Sequence, residues 1–328
     1  MSGRGFLVAG LAAGLVVAVG LSLFCGGTGL AAIDGLFSAT PSLDTLILRE
    51  LRLPRVMLGV LIGAGLGGAG AVMQGFFRNP LADPGVVGVS ASAGLGAVTA
   101  LYFGLASLFA LALPLAGVFG ATAGVTLLFL IAGRGASATT LILSGVAVNA
   151  MAGALTALLM NLAPNPWALA EIAYWLMGSL KDASWTEIAF AAPLILAGLA
   201  ILSTTGRSLD ALSLGEETAV SLGVDLKRQR LTVVAGTALA VGGGVAVAGA
   251  IGFVGLVVPH LLRPLVAHRP GALILPSMLG GALLVTLADL FVRLVSGPGM
   301  PLYLGVVTAL IGAPFFLWLV RTSQRVAP

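Results

Sequence analysis

Apolar residues in this chain fall in long blocks rather than in alternation. Stretches free of Asp, Glu, Lys and Arg cover 5–33, 56–77, 84–133, 135–170, 188–206, 231–262, 270–288 and 294–320. A helix needs about 20 apolar residues to cross roughly 30 Å of hydrocarbon, so each block holds one span or nearly so. The 84–133 block is long enough for two, divided near Tyr102–Pro114, and the 231–262 block could hold two short ones, divided near Gly249–Gly252. That predicts eight to ten helices, with ten favoured, and residues 1–328 form a single membrane domain. The first block follows Arg4 as a signal peptide would, yet no small-x-small cleavage site follows it, so it reads as a retained first span.

Composition sharpens this. Only 9% of the 328 residues are charged and 59% are hydrophobic. A soluble domain carries about 25% charged residues, so this chain lacks the polar skin that a soluble enzyme, a secreted domain or a disordered chain needs. An outer-membrane barrel would show short alternating segments instead of unbroken runs. The single cysteine, Cys25, excludes a disulfide framework or a Cys-based metal cluster, and Phe24 before it is too bulky for a lipoprotein cleavage site. Two histidines, His260 and His268, are too few for a multi-His centre, so no metal site and no cofactor are expected. The net charge of +4 fits basic cytoplasmic loops rather than nucleic-acid binding.

Loop charges also predict orientation. With the N-terminus inside and ten alternating spans, Arg4, Arg78, Arg134, Arg207, Lys227, Arg228, Arg230, Arg263, Arg269, Arg321 and Arg325 fall in the cytoplasm, and both termini lie there. Arg49, Arg52, Arg55, Lys181 and Arg293 remain outside and need a reason to be there. Gly59, Gly63 and Gly67 recur at spacing four in the second span, a ridge that lets another helix backbone approach. The same stretch contains Gly63-x-Gly65-x-x-Gly68, formally a dinucleotide fingerprint, but no strand precedes it and it belongs to helix packing.

Three segments are more specifically built than a span requires. Arg78-Asn79-Pro80-Leu81-Ala82-Asp83-Pro84-Gly85 is a turn between the second and third spans, where Asn-Pro and Asp-Pro end one helix and cap the next. Residues 209–224 form the longest cytoplasmic loop, with Gly215 and Gly223 bracketing a short amphipathic helix suited to a groove on a soluble partner. Gly249 to His260 is a glycine-rich bend at the outer side of a re-entering helix.

With Arg52-Leu53-Pro54-Arg55, Tyr174-Trp175-Leu176-Met177-Gly178-Ser179-Leu180 and the 305–316 segment (Gly305-Val306-Val307-Thr308 through Pro314-Phe315-Phe316), these motifs resemble, in order and over nearly the whole chain, the permeases of ABC importers for iron chelates, haem and cobalamin. The resemblance implies an all-α integral membrane protein with the ten-helix fold of a type II ABC importer permease. It implies a homodimer in the bacterial inner membrane, around a central path, with two cytoplasmic ATPase subunits and a periplasmic substrate-binding protein. Within the 207–228 loop it assigns ATPase coupling to Gly215, Glu216, Glu217, Ala219, Leu222 and Gly223. It assigns binding-protein docking to Arg52, Arg55 and Arg293, whose planar forks suit carboxylates; the bland readings are snorkelling at the lipid headgroups or an internal pair such as Arg293 with Asp289, one helical turn earlier. The path would run past the fifth span near Leu141–Met160, with Ser144 and Asn149, and past Gln74 of the second span.

The chemistry agrees on one point. Neither lysine, Lys181 or Lys227, lies in G-x-x-x-x-G-K-[ST], so the chain is no enzyme and any ATP hydrolysis belongs to a partner chain. A gradient-driven carrier is the reading from a different class, but it would need intramembrane carboxylates, and Asp289 is the one candidate. His260 reads as structural and His268 as solvated. In Gly299-Met300-Pro301-Leu302-Tyr303-Leu304-Gly305, methionine replaces an acid usual in the family and a tyrosine is added. A less acidic, more apolar outer mouth points to haem as cargo, with ferric siderophore and cobalamin as alternatives. The 265–270 turn, Leu-Val-Ala-His-Arg-Pro, also departs from the family's usual pattern, which bears on that turn's geometry and not on function.

Overall fold

A computed structural model describes residues 3–25, 42–109, 111–133, 137–297 and 301–324. Arg134, Arg325, Gly299 and Met300 lie outside them. The described residues contain helices and no extended strand. Seven helices are long and apolar enough to span a membrane. They are α1 (Gly3–Phe24), α3 (Leu53–Phe76), α5 (Ala112–Ala132), α6 (Ala138–Asn161), α8 (Trp185–Ser203), α11 (Leu226–Ala248) and α13 (Pro270–Val295). The shorter α4 (Val89–Tyr102) and α12 (Val254–Leu262), with the 21-residue α14 (Leu304–Gln324), complete ten main elements. Between them lie α2 (Leu43–Leu46), α7 (Pro166–Leu176), α9 (Gly206–Leu212) and α10 (Glu216–Ser221).

The 84–133 block divides where expected, between Tyr102 and Ala112. The 231–262 block also divides near Gly249–Gly252, though unequally. Helix α11 has 23 residues, whereas α12 has only nine, which at 1.5 Å per residue reach about 14 Å. The intervening 249–253 is irregular, and Phe253 opens α12 from the left-handed region, φ 66°. Irregular backbone survives at membrane depth only where protein or a cavity surrounds it. Here α12 is buried from Val254 to Pro259, against α3 and α13. The second span also begins earlier than its charge-free run. A continuous apolar helix runs from Leu43 to Phe76, with a π-helical stretch, Ile47–Arg52, carrying Arg49, Glu50 and Arg52.

Helix α3 is the hub, and glycine explains why. A Cβ at Gly63 would strike the Gly281 carbonyl, and one at Gly67 the Ser277 carbonyl, while Gly59 faces Val285. Arg55 faces Asp289 one step further out. Four-residue steps down α3 thus meet four-residue steps up α13, an antiparallel small-residue seam in which backbones touch. The other faces of α3 are equally bare: Gly65 abuts the Ala240 carbonyl of α11 and Gly70 the Gly255 carbonyl of α12. Helices α4 and α5 repeat the device, Gly96 lying against Gly120 and Gly124 against Ser92.

Candidate functional sites at the two ends of the bundle

The bundle has two built ends. At the first, residues 203–225 fold into two short helices. Thr205 and Ser213 flank α9, and Asp210 on it accepts from Gly271 N–H (2.8 Å) and Arg269 Nη2 (3.0 Å) at the start of α13. Gly215 then turns the chain at φ 109°, a conformation other residues avoid. Glu216 and Glu217 occupy the first turn of α10, where negative charge suits the helix dipole. The C-terminus is a Schellman closure. Val224 N–H bonds the Ala219 carbonyl, Gly223 N–H bonds the Val220 carbonyl, and Gly223 stands at φ 87°.

This hairpin is pinned on one side and bare on the other. Ala219 is fully buried, whereas Leu214, Val220 and Leu222 are more than half exposed, leaving an apolar knob. Glu216 lies 3.7 Å from Arg78, linking α10 to the 78–85 turn. There Asn79 Oδ1 accepts from Leu81 N–H (2.9 Å) and Asp83 Oδ1 from Gly85 N–H (2.8 Å). Burial pushes the Asp83 carboxyl above the ordinary carboxylate range, with the Gly85 bond opposing it. The same turn packs on α12, since a Cβ at Gly255 would meet Pro84 Cδ at 2.9 Å and Asp83 Oδ2 at 3.2 Å.

At the opposite end, three sequence segments close on one another. A Cβ at Gly178 would strike the Ala250 carbonyl, one at Gly249 the Trp175 carbonyl, and one at Gly305 the Met177 carbonyl. Ser179 N–H bonds the Ala248 carbonyl at 2.8 Å and Gly305 N–H bonds the Gly178 carbonyl at 3.3 Å. The 174–180, 249–260 and 305–316 motifs are thus one structure. Beside it, Arg55 grips Asp289 bidentately, Nε to Oδ2 at 2.9 Å and Nη2 to Oδ1 at 2.9 Å. Arg293 Nε stands 3.6 Å from Asp289 Oδ2, and its Nη2 donates to the carbonyl and hydroxyl of Ser22 at 2.6 Å. Arg52 Nη1 donates to the carbonyls of Leu23 and Cys25 at 2.7 and 3.0 Å.

Two of the three arginines expected at the docking face, Arg55 and Arg293, meet at Asp289, an acid expected to pair only with Arg293, while Arg52 bonds backbone carbonyls. Both guanidiniums reach Asp289, but Arg55 takes the tighter grip, across 234 residues of sequence. No local periodicity could have found that partner.

The expected path residues separate. Gln74 is buried, donates to the carbonyls of Gly255 and Leu256 at 3.3 and 3.2 Å, and accepts from Arg263 Nη2 at 2.5 Å. Within one chain it is a brace between α3 and α12. Ser144 is buried among α6 and its neighbours, whereas Asn149 is exposed on the other side of α6. Of these three, only Asn149 faces open space in a single chain. His260 lies against the Phe315 ring, centroids 5.7 Å apart. Among the described residues no cluster of three or more His, Cys, Asp or Glu could hold a metal.

This architecture is that of the membrane subunit of an ABC-type importer. A solved structure described as a metal-chelate type ABC transporter in an inward-facing conformation superposes with a TM-score of 0.85 at 33% identity, covering 97% of this chain and 99% of that one. The chain belongs to the FecCD transport family, whose profile matches residues 14–322. It is 39% identical over 281 residues to the hemin transport system permease protein HmuU of Yersinia pestis, covering 84% of this chain and 83% of that one. The cobalamin import system permease protein BtuC of Halobacterium salinarum is 39% identical over 286 residues, 87% and 76% of the two chains. The Fe(3+) dicitrate transport system permease protein FecD of Escherichia coli is 40% identical over 273 residues, 83% and 84%. This is a multi-pass transport permease and not itself an enzyme.

Proposed function

We propose that the chain carries haem across the bacterial inner membrane, as one of two identical permeases around a shared path, with ATP hydrolysed by partner chains. The carrying observation for haem is the outer mouth: Tyr303 lies parallel to Tyr174, ring centroids 5.7 Å apart and planes 8° apart. A flat apolar macrocycle matches such a mouth better than a hydrophilic ferric chelate does.

The two ends take the remaining roles. The α9–α10 hairpin, within the 207–228 cytoplasmic loop of a single 1–328 domain, receives an ATPase through Gly215, Glu216, Glu217, Ala219, Leu222 and Gly223. Arg52, Arg55 and Arg293 meet carboxylates of a periplasmic binding protein, with both termini on the opposite, cytoplasmic side. Closure of the ATPases shifts the population between inward- and outward-open states. Asp289 is held by two arginines, which argues against a free ion-coupling carboxylate and hence against a gradient-driven carrier.

The test is reconstitution with the ATPase and binding protein, comparing haem, cobalamin and a ferric siderophore as stimulants of ATP hydrolysis. Haem should stimulate most. Stimulation confined to cobalamin or to the siderophore would overturn the haem reading and leave the importer class standing.

A further inference from the structure

The cargo cleft at the Arg55 end is more specific than its tyrosine pair. Two cavities of about 600 and 480 Å³ adjoin there and share Ser179, Lys181 and Tyr303. One wall of the larger comes from a single face of α7: Trp167, Ala170, Glu171 and Tyr174, at helical spacing i, i+3, i+4 and i+7. Trp167 is 84% and Tyr174 53% exposed. Aromatic residues at this level commonly rest in lipid headgroups. This stripe instead faces a protein wall of Leu58, Leu101, Leu113 and Val247, contributed by α3, α4, α5 and α11. The smaller cavity is lined by Arg55, Lys181 and Arg293. Asp289 offsets part of that charge, and Lys181 makes no ion pair among the described residues. The acids of the cleft, Glu171 and Asp182, line the larger cavity.

We propose that this double cleft is an outer receiving site for a flat aromatic macrocycle bearing peripheral carboxylates, its ring laid on the Tyr174–Tyr303 stack and a carboxylate turned to Lys181. The proposal rests on the haem reading above for its choice of ligand. The tyrosine rings, 5.7 Å apart, leave no space for a ring between them, which would need about 7 Å, two contact distances. The ligand therefore extends the stack from an open ring face. Burial pushes the Tyr303 phenol above its ordinary value, with Tyr174 and Asp182 adding to the shift. That direction favours the neutral phenol, so Tyr303 acts by stacking and not as a phenolate on iron. A corrin edged with amides would lack the carboxylate that Lys181 receives, and a ferric hydroxy-acid chelate would lack the ring.

The experiment uses the full permease with its ATPase in nanodiscs, without binding protein, titrated with hemin and with hemin dimethyl ester and followed by the Soret band. Tyr303→Leu should weaken hemin binding roughly two- to tenfold, the range for one aromatic contact, and Tyr303→Phe should leave it unchanged. The ester should bind wild type more weakly than hemin does, and Lys181→Ala, at an exposed position, should remove that preference. Equal hemin binding by wild type, Tyr303→Leu and Lys181→Ala, in a complex whose ATPase haem still stimulates with binding protein present, would overturn the receiving site and leave the haem reading intact. A wild-type complex stimulated by cobalamin and not by haem would overturn that reading and the site with it.

Discussion

Asp289 is only 2% exposed and holds two guanidiniums. Removing one partner of a buried pair is costly because it strands the other charge. The cluster is asymmetric, so the cost should be too. Asp289→Ala would leave Arg55 and Arg293 facing each other with no anion, and should cost about 3–5 kcal/mol. Arg55→Ala leaves Asp289 with Arg293 at 3.6 Å and should cost less. Thermal unfolding midpoints in detergent would rank them; equal losses would mean that Arg293 contributes nothing to holding the acid. Docking is better probed at Arg52, because reversal at Arg55 would place a second acid beside Asp289. Arg52→Glu should weaken binding-protein affinity severalfold in low salt, and the gap to wild type should narrow as ionic strength rises. Salt-independent affinity in both proteins would sink the docking role.

At the scale of elements, the glycines divide into those that make the fold and those that do not. A Cβ at Gly67 would enter the Ser277 carbonyl, whereas one at Gly10 of α1 meets nothing. Gly67→Ala should therefore destabilise by about 1–3 kcal/mol or more through overpacking, while Gly10→Ala should be neutral or gain up to about 1 kcal/mol in helix propensity. Folded yield and thermal midpoint check both. In α10, Gly223→Val forces a β-branched residue to φ 87°, at a cost of about 1–2 kcal/mol. The hairpin's closing turn should loosen, and ATPase co-purification should fall; unchanged co-purification and transport would remove α10 from the coupling role. The ridge Gly59, Gly63 and Gly67 was legible because spacing four marks one helical face. Its partner was not, since periodicity names a face and never the helix opposite. The runs likewise located ten elements and the break near 249–252, but not the lengths of two of them. Charge-free length cannot tell the nine-residue α12 from a full span, because buried irregular backbone at 249–253 is as apolar as helix. Nor could it see α3 extend back through Arg52 and Arg49, whose long side chains reach polar groups at the helix end. Gln74 and Asn149 gave the same polar signal in sequence, yet one bonds a neighbouring helix and the other faces out. Only packing separates them.

For the whole molecule, several helices leave apolar residues uncovered, α6 and α14 among them. Along α6, Leu143, Val146, Asn149 and Gly153 are exposed at helical spacing, and along α14 so are Val306, Leu310, Ala313 and Leu317. Apolar exposure alone is unremarkable in a membrane, where lipid covers it. Asn149 is different, because an amide in hydrocarbon is expensive and inside a bundle or a wet cavity it is not. A second copy meeting along α6 would shelter Asn149 and create the shared path that the proposed homodimer requires, and α14 is the second helix tested for that role. With Cys25 replaced by alanine, the chain is free of cysteine, so single cysteines report cleanly. Cysteine at Val146 or Leu310 should give an oxidant-induced covalent dimer, and cysteine at Phe119, 76% exposed on α5, should not. Asn149→Cys should in addition react with a water-soluble thiol reagent at a rate that changes several-fold when ATP is added to the full complex, because alternating access opens and closes the path to water. Cross-linking at Phe119 and none at Val146 or Leu310 would move the interface to the α5 face. An Asn149→Cys thiol that stays unreactive with and without ATP would place that position in lipid and take the path away from α6.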